Sequence, residues 1–209
     1  MNAQTERLLI AGPAGALECA IDRPTLAEGQ VLRGTALICH PNPTQGGTLD
    51  NKVVQTLARA FVQLGYKALR FNFRGIGRSE GGWDEGRGEI DDALAVAAAL
   101  REPGLPLTLA GFSFGGYVAS QAARRLPEGE GAERLALIGP ATSRFDTAPV
   151  PADTLVVHGE VDDVVPLASV LDWARPQALP VVVVPGVGHF FHGQLPLLKN
   201  IVLRHWHPA

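Results

Sequence analysis

The sequence predicts a single α/β domain: a mostly parallel, doubly wound sheet with helices on both faces. Three observations carry that expectation. Short runs rich in β-branched residues alternate with helical patterns along most of the chain. Those runs are continuously apolar, as strands covered on both faces are. The 209 residues are enough for one domain with a substantial core and tight for two, so one domain spans 1–209.

The chain opens on "LLIAGPAGALECA" (8–20), apolar enough to imitate the core of a signal peptide. Glu6 stands before it, Arg7 alone supplies positive charge, and Gly12-Pro13-Ala14-Gly15 interrupts it. Two strands joined by a turn explain it better. "GTALICH" (34–40) reads as a buried strand, and "NKVVQTLARAFVQLG" (51–65) as an amphipathic helix ending at Gly65. "YKALRFNF" (66–73) is the next strand, followed by the glycine-rich loop "RGIGRSEGG". A helix through "EIDDALAVAAALRE" carries acidic residues in its first turn and meets Pro103-Gly104 after its end.

"LPLTLAGF" (105–112) is a strand, and "FGGYVASQAARRL" a helix running up to Pro127. Three further β-rich runs follow: "ERLALIG" (133–139), "DTLVVHG" (153–159) and "LPVVVVPG" (179–186). The last two flank a short helix near "ASVLDWARPQ". An amphipathic helix through "QLPLLKNIVLRHW" closes the chain. "PEGEGAE" (127–133) is a polar surface loop, and no internal repeat is present.

Hydrophobic residues at 46% against 19% charged exclude a disordered chain. A net charge of −3 with Lys and Arg scattered argues against a nucleic-acid partner. No stretch approaches the about 20 apolar residues of a membrane span, so the expected location is the cytoplasm. Cys19 and Cys39 sit in strand-like segments and read as buried free thiols of a reducing compartment. A homodimer is compatible with this composition, which carries no mark for or against it.

Open parallel sheets bind ligands beyond the carboxyl ends of their strands, where the loops begin at His40, Arg74, Ser113, Pro140, His158 and Pro185. Ser113 lies in "AGFSFGGYVA" (110–119), between a strand and a helix. A nucleophile elbow needs that placement, because the turn lifts Oγ above the sheet while the helix N-terminus aims donors at it. Gly111 and Gly115 relieve crowding on either side, and Gly116 lets the helix approach the sheet. The bland alternative is a glycine-rich crossing whose small residue happens to be serine.

A serine hydroxyl needs a base, and the base an orienting acid. Among six histidines, His205 and His207 lie on or past the last helix. His158 ends a strand before Gly159 and reads as a packed residue orienting its loop. His192 falls at a helix start. His189 follows the last strand directly, in "VVVVPGVGHFFHG", and is the preferred base. "VVHGEVDDVVP" offers Asp162 and Asp163; Asp162 is the chosen acid, and its neighbour a loop cap. The order Ser, Asp, His is that of one fold family and differs from two protease orders. An oxyanion hole needs two converging N–H groups. Phe114 supplies one, immediately after the serine. In His40-Pro41-Asn42-Pro43 only Asn42 can supply the other from residues 41 to 43, because proline has no N–H. The alternative for that segment is a rigid turn without a chemical role.

With these residues in place, the chain resembles the α/β-hydrolase superfamily. More narrowly, it is similar to small lid-less bacterial serine hydrolases related to dienelactone hydrolases and short-chain esterases. The likeness runs from "HPNPTQGGTLDNKVV" through "FNFRGIGRSEGG", "GFSFGG" and "HGEVDDVVP" to "GVGHFFHG". It implies Ser113 as nucleophile, Asp162 as acid, His189 as base, and Asn42 and Phe114 as oxyanion donors. It also implies hydrolysis of a small ester without cofactor or metal. Dienelactone hydrolases proper carry cysteine at the nucleophile position, so the serine here favours plain ester hydrolysis. Many relatives insert a cap domain after the strand that here reads "RLALIG". Only Pro140 to Ala152 stand in that place, which is too short for a helical lid.

Other readings fit less well. In "RGIGRSEGG" the glycines at 75, 77 and 81 miss the G-x-G-x-x-G spacing, and with Arg74 they shape a loop beside the site. "GFSFGG" lacks the Lys-Ser/Thr pair of a phosphate loop. His189 and His192 do not have the i, i+4 spacing of a helical zinc pair. A non-catalytic binding module on this fold and an acyltransferase sharing the same triad remain alternatives. Phe112, Phe114, Phe190, Phe191 and Trp83 are candidates to line an acyl pocket, with ordinary core packing as the competing reading.

Overall fold

The computed structural model describes residues 5–206. His207 lies outside the described residues. The expected N-terminal hairpin is β1 (Glu6–Gly12) and β2 (Gly15–Asp22). There follow β3 (Gly34–Cys39), α1 (Lys52–Gln63), β4 (Tyr66–Phe71), α2 (Arg87–Leu100), β5 (Leu107–Phe112) and α3 (Phe114–Arg125). The chain continues through β6 (Arg134–Ile138), β7 (Leu155–Gly159), α4 (Leu167–Ala174), β8 (Val181–Val184) and α5 (Leu195–Trp206). The eight strands of the described residues join one sheet in the order β1-β2-β4-β3-β5-β6-β7-β8. β2 runs antiparallel to both β1 and β4, and every pairing from β4 to β8 is parallel.

The interior strands face two apolar layers at once, which explains their continuous hydrophobicity. Ala36, Ile38, Ala110 and Phe112 pack beneath α1 and α5, while Leu37, Cys39, Leu107 and Leu109 pack beneath α2 and α3. Asn51 starts α1 by accepting the Val53 and Val54 N–H groups on its side chain. α2 starts two residues before Glu89, where the helical pattern begins in the sequence, because Glu89 accepts the N–H groups of Asp84 and Gly86 at 3.0 and 2.8 Å. Between β6 and β7, residues 139–154 form only turns and irregular backbone, so this fold carries no cap domain.

Arg70, in the middle of an apolar strand, is buried, and the sequence reading gave it no role. Its guanidinium meets Asp22 at 2.9 Å and the Leu49 carbonyl at 2.9 Å, which ties the segment before α1 to the sheet. Arg74 fastens the glycine-rich loop to α2 through the fully buried Asp92, at 2.7 Å. Cys19 and Cys39 are free and buried. Burial, with Glu18 beside it, pushes the Cys19 thiol up to about 12, and burial raises Cys39 as well, so neither is a thiolate at neutral pH. Among the described residues no helix is long and apolar enough to cross a membrane.

Candidate active site

β3 and β5 are neighbours, and the chain leaves β3 toward β4 on one side and reaches β5 on the other. The carboxyl ends of these two strands therefore flank the reversal point where open α/β sheets bind ligands. Asn42 follows β3 and Ser113 follows β5, so both stand at that point.

Ser113 adopts φ 55° and ψ −119°, a left-handed backbone that a non-glycine residue takes only under constraint. The constraint is visible. Ser113 N–H donates to the Ile138 carbonyl at 2.9 Å, and the Ser113 carbonyl accepts from Gly116 at 2.9 Å and Ala141 at 3.2 Å. A Cβ on Gly111 would sit 2.0 Å from the Gly115 carbonyl oxygen, and one on Gly115 would sit 2.1 Å from the Cys39 carbonyl oxygen. Only glycine fits either place, and the tight turn follows from that.

His189 lies in the turn after β8, buried, with its ring 4.8 Å from that of Phe112. Its Nδ1–H donates to Asp162 Oδ2 at 2.6 Å, which leaves Nε2 as the free nitrogen. The other carboxylate oxygen, Oδ1, accepts the N–H groups of Val164 and Val165 at 2.9 and 2.8 Å. Burial by itself raises the Asp162 carboxyl pKa. The hydrogen bond and charge of His189 and the two backbone donors outweigh it and hold the group below the usual carboxylate range. The pair packs over Gly139, where a Cβ would stand 3.4 Å from His189 Cε1. Asp163, by contrast, is exposed.

Ser113 and His189 line one cleft with Pro41, Asn42, Gln45 and Phe190. No hydrogen bond joins the Ser113 hydroxyl to His189; Asp162 alone bonds to that imidazole among the described residues. The backbone N–H groups of Asn42 and Phe114 have no protein acceptor among the described residues. The Asn42 side chain is occupied elsewhere: it accepts from Thr44 N–H and Oγ1, both at 2.9 Å, and so starts the short 3₁₀ turn Pro43–Gln45. The sequence reading missed that turn, and with it Gln45 and Asn51 as walls of the cleft.

His40 braces the same loop. Its Nδ1–H donates to the Pro41 carbonyl at 2.7 Å, and its Nε2 accepts the Phe73 N–H at 3.1 Å. Complete burial lowers its pKa from 6.5 to about 4, offset only in part by the Pro41 carbonyl. Between those values the unfolded chain binds a proton that the folded chain refuses, so stability falls as pH drops through that window. His40 alone should remove about 2 kcal/mol by pH 5. Urea unfolding at pH 7.5 and pH 5 tests this, and equal or greater stability at pH 5 would contradict it.

Two sequence expectations need correction. His192 is not at a helix start: α5 begins at Leu195, and His192 is exposed in the preceding turn. Pro196 lacks an N–H and must lie in a first turn, which holds the helix start back. Of the five aromatic candidates, only Phe190 lines the cleft. Phe112, Phe114 and Phe191 are core residues, Phe191 turned inward by a left-handed backbone at φ 52°, and Trp83 lies against Phe114 at 5.2 Å. His205, on α5, reaches the Asp153 carbonyl ahead of β7, at the opposite end of the strands. No group of three or more His, Cys, Asp or Glu side chains converges as a metal site among the described residues.

Comparison with known proteins agrees with this fold. A family model described as "Serine aminopeptidase, S33" matches residues 44–153. A lid-less α/β serine hydrolase from Xanthomonas campestris, XC6422, is 39% identical with a TM-score of 0.86, over 100% of this chain and 98% of that one. An α/β serine hydrolase homologue from Coxiella burnetii is 38% identical with a TM-score of 0.82, over 97% of both chains. The uncharacterized protein RP471 of Rickettsia prowazekii is 32% identical over 195 residues, covering 86% of this chain and 79% of its own. The chain belongs to the α/β-hydrolase superfamily, in a form of the fold without a cap domain.

Proposed function

We propose that this protein is a serine esterase that cleaves small carboxylic esters through an acyl-enzyme on Ser113. The observation that carries the reading is the strained Ser113 elbow opening onto the cleft lined by His189, whose Nδ1 lies 2.6 Å from Asp162 behind it. His189 Nε2 takes the Ser113 proton as Oγ attacks the ester carbonyl. Asp162 keeps the imidazole in the tautomer whose Nε2 is free and stabilises the imidazolium that forms. The Phe114 and Asn42 N–H groups face the oxyanion; together they supply several kcal/mol in the transition state. The imidazolium then returns the proton to the departing alcohol. Water, activated by His189, cleaves the acyl-enzyme by the same route.

The cleft bears on the substrate class. Its volume of about 170 Å³ is below the about 300 Å³ of a drug-sized site, and this supports a small acyl group. The aminopeptidase activity in the description of the matched family model requires an anchor for a substrate ammonium, and a desolvated cation needs a paired charge. No carboxylate is among the residues lining the cleft. Asp50, in the adjoining depression, is already held by Arg7 at 2.8 Å and Arg70 at 3.3 Å. We therefore expect kcat/KM for 4-nitrophenyl acetate or butyrate to exceed that for alanine 4-nitroanilide by about a hundredfold or more. Comparable cleavage of the anilide would overturn the ester reading in favour of peptidase activity.

A further inference from the structure

His158 sits inside β7 with no exposed surface and faces the apolar layer of Val156, Val165 and Val170. Its Nε2 is 2.9 Å from the Val165 carbonyl oxygen. A carbonyl only accepts, so Nε2 carries the hydrogen and Nδ1 carries the lone pair. That Nδ1 is buried and has no partner among the described residues. Leucine or phenylalanine in this layer would bring no unpaired nitrogen of its own, so apolar packing does not account for an imidazole here.

The Nε2 edge does. Besides the Val165 carbonyl, it lies 3.5 Å from Asp162 Oδ2, the oxygen that His189 contacts at 2.6 Å. Val165 is the hub of this arrangement: its N–H donates to Asp162 Oδ1 at 2.8 Å, and its carbonyl accepts from His158. The Asp162 carboxylate is thus framed by backbone donors on one oxygen and by two imidazole edges at the other.

We infer that His158 is a positioning residue that clamps the 160–165 loop through Val165 and sets the positive edge of its N–H dipole beside Asp162, setting how tightly that carboxylate holds the His189 imidazolium. This rests on the reading of Asp162 and His189 as acid and base. The ionisable groups bearing on this carboxylate are few. His189 and His158 face it; Asp163 points to solvent, and Glu160 accepts the Gly186 N–H at 2.8 Å. Burial keeps His158 neutral by lowering its pKa, against the opposing pull of Asp162 and the Val165 carbonyl. It acts as a fixed N–H dipole, not as a second charge. Without that dipole, Asp162 concentrates its charge toward His189, and the base keeps its proton to higher pH.

Three variants separate positioning from packing. His158→Leu removes the edge, His158→Asn keeps a polar group too short to reach Val165, and His158→Gln places an amide N–H where Nε2 stood. The readouts are the His189 protonation midpoint by NMR and the acid limb of kcat/KM for 4-nitrophenyl acetate. Leu and Asn should move both upward by about one pH unit and lower kcat roughly tenfold to a hundredfold. Gln should restore both to near wild type. An unmoved midpoint in Leu and Asn, or a Gln variant that behaves like them, overturns the inference. If Leu does not fold, Asn supplies the same arm. The NMR midpoint needs no turnover, so a wild type that hydrolyses no ester would end the esterase reading while His158 is still tested.

Discussion

Ser113→Ala should lower kcat toward 4-nitrophenyl acetate by about four to six orders of magnitude, the loss expected when a covalent nucleophile goes and only the oxyanion donors and binding remain. Stability should hardly change. The backbone at Ser113 is held at φ 55° by hydrogen bonds from its own N–H and to its own carbonyl, and alanine keeps all of them. The hydroxyl gives up no hydrogen bond to another described residue. Steady-state kinetics and a thermal melt on the same preparation check both halves. Residual activity within tenfold of wild type would place the nucleophile elsewhere.

Asp162→Asn is the second large effect, with kcat expected to fall by about four orders of magnitude. The shape is nearly conserved, but an amide N–H facing His189 Nδ1 forces the proton onto Nε2, where the base must be free. The 2.6 Å contact shows how directly the tautomer depends on this oxygen. Asp163→Ala is the control: that side chain is exposed and touches neither histidine. It should stay within about threefold of wild type. If Asp163→Ala proves the more damaging of the two, the acid has been assigned to the wrong residue.

Much of this site was legible because steric rules act on near neighbours. A side chain at Gly111 would stand 2.0 Å from the Gly115 carbonyl oxygen across one turn, so residue spacing announces the elbow, whereas Gly115 is required by the Cys39 carbonyl at the end of the neighbouring strand. The missing cap was a matter of length, since residues 140–152 cannot form a helical lid. Asn51 before an apolar helical pattern marks a helix start by local chemistry.

What stayed hidden depends on tertiary placement. Phe112, Phe114, Phe190 and Phe191 look alike in sequence; Phe112 and Phe114 are buried on the strand and helix beside Ser113, and Phe191, at a left-handed backbone, is buried while its neighbour Phe190 lines the cleft. Arg70 reads as an anomaly in a strand until Asp22, 48 positions away, is seen beside it. His158 is packed, as its place before Gly159 suggests, but its approach to Asp162 depends on how residues 160–165 fold back over the strand end. Pairings between loops leave no periodic trace.

The measurement that bears most directly on the central claim is intact-mass analysis of the purified protein after exposure to a fluorophosphonate, with Ser113→Ala in parallel. One phosphonyl adduct is expected on the wild type and none on the variant, because only a serine activated by His189 and aimed at oxyanion donors reacts at neutral pH. An unlabelled wild type that is folded, or a Ser113→Ala variant that still takes up the label, would contradict it.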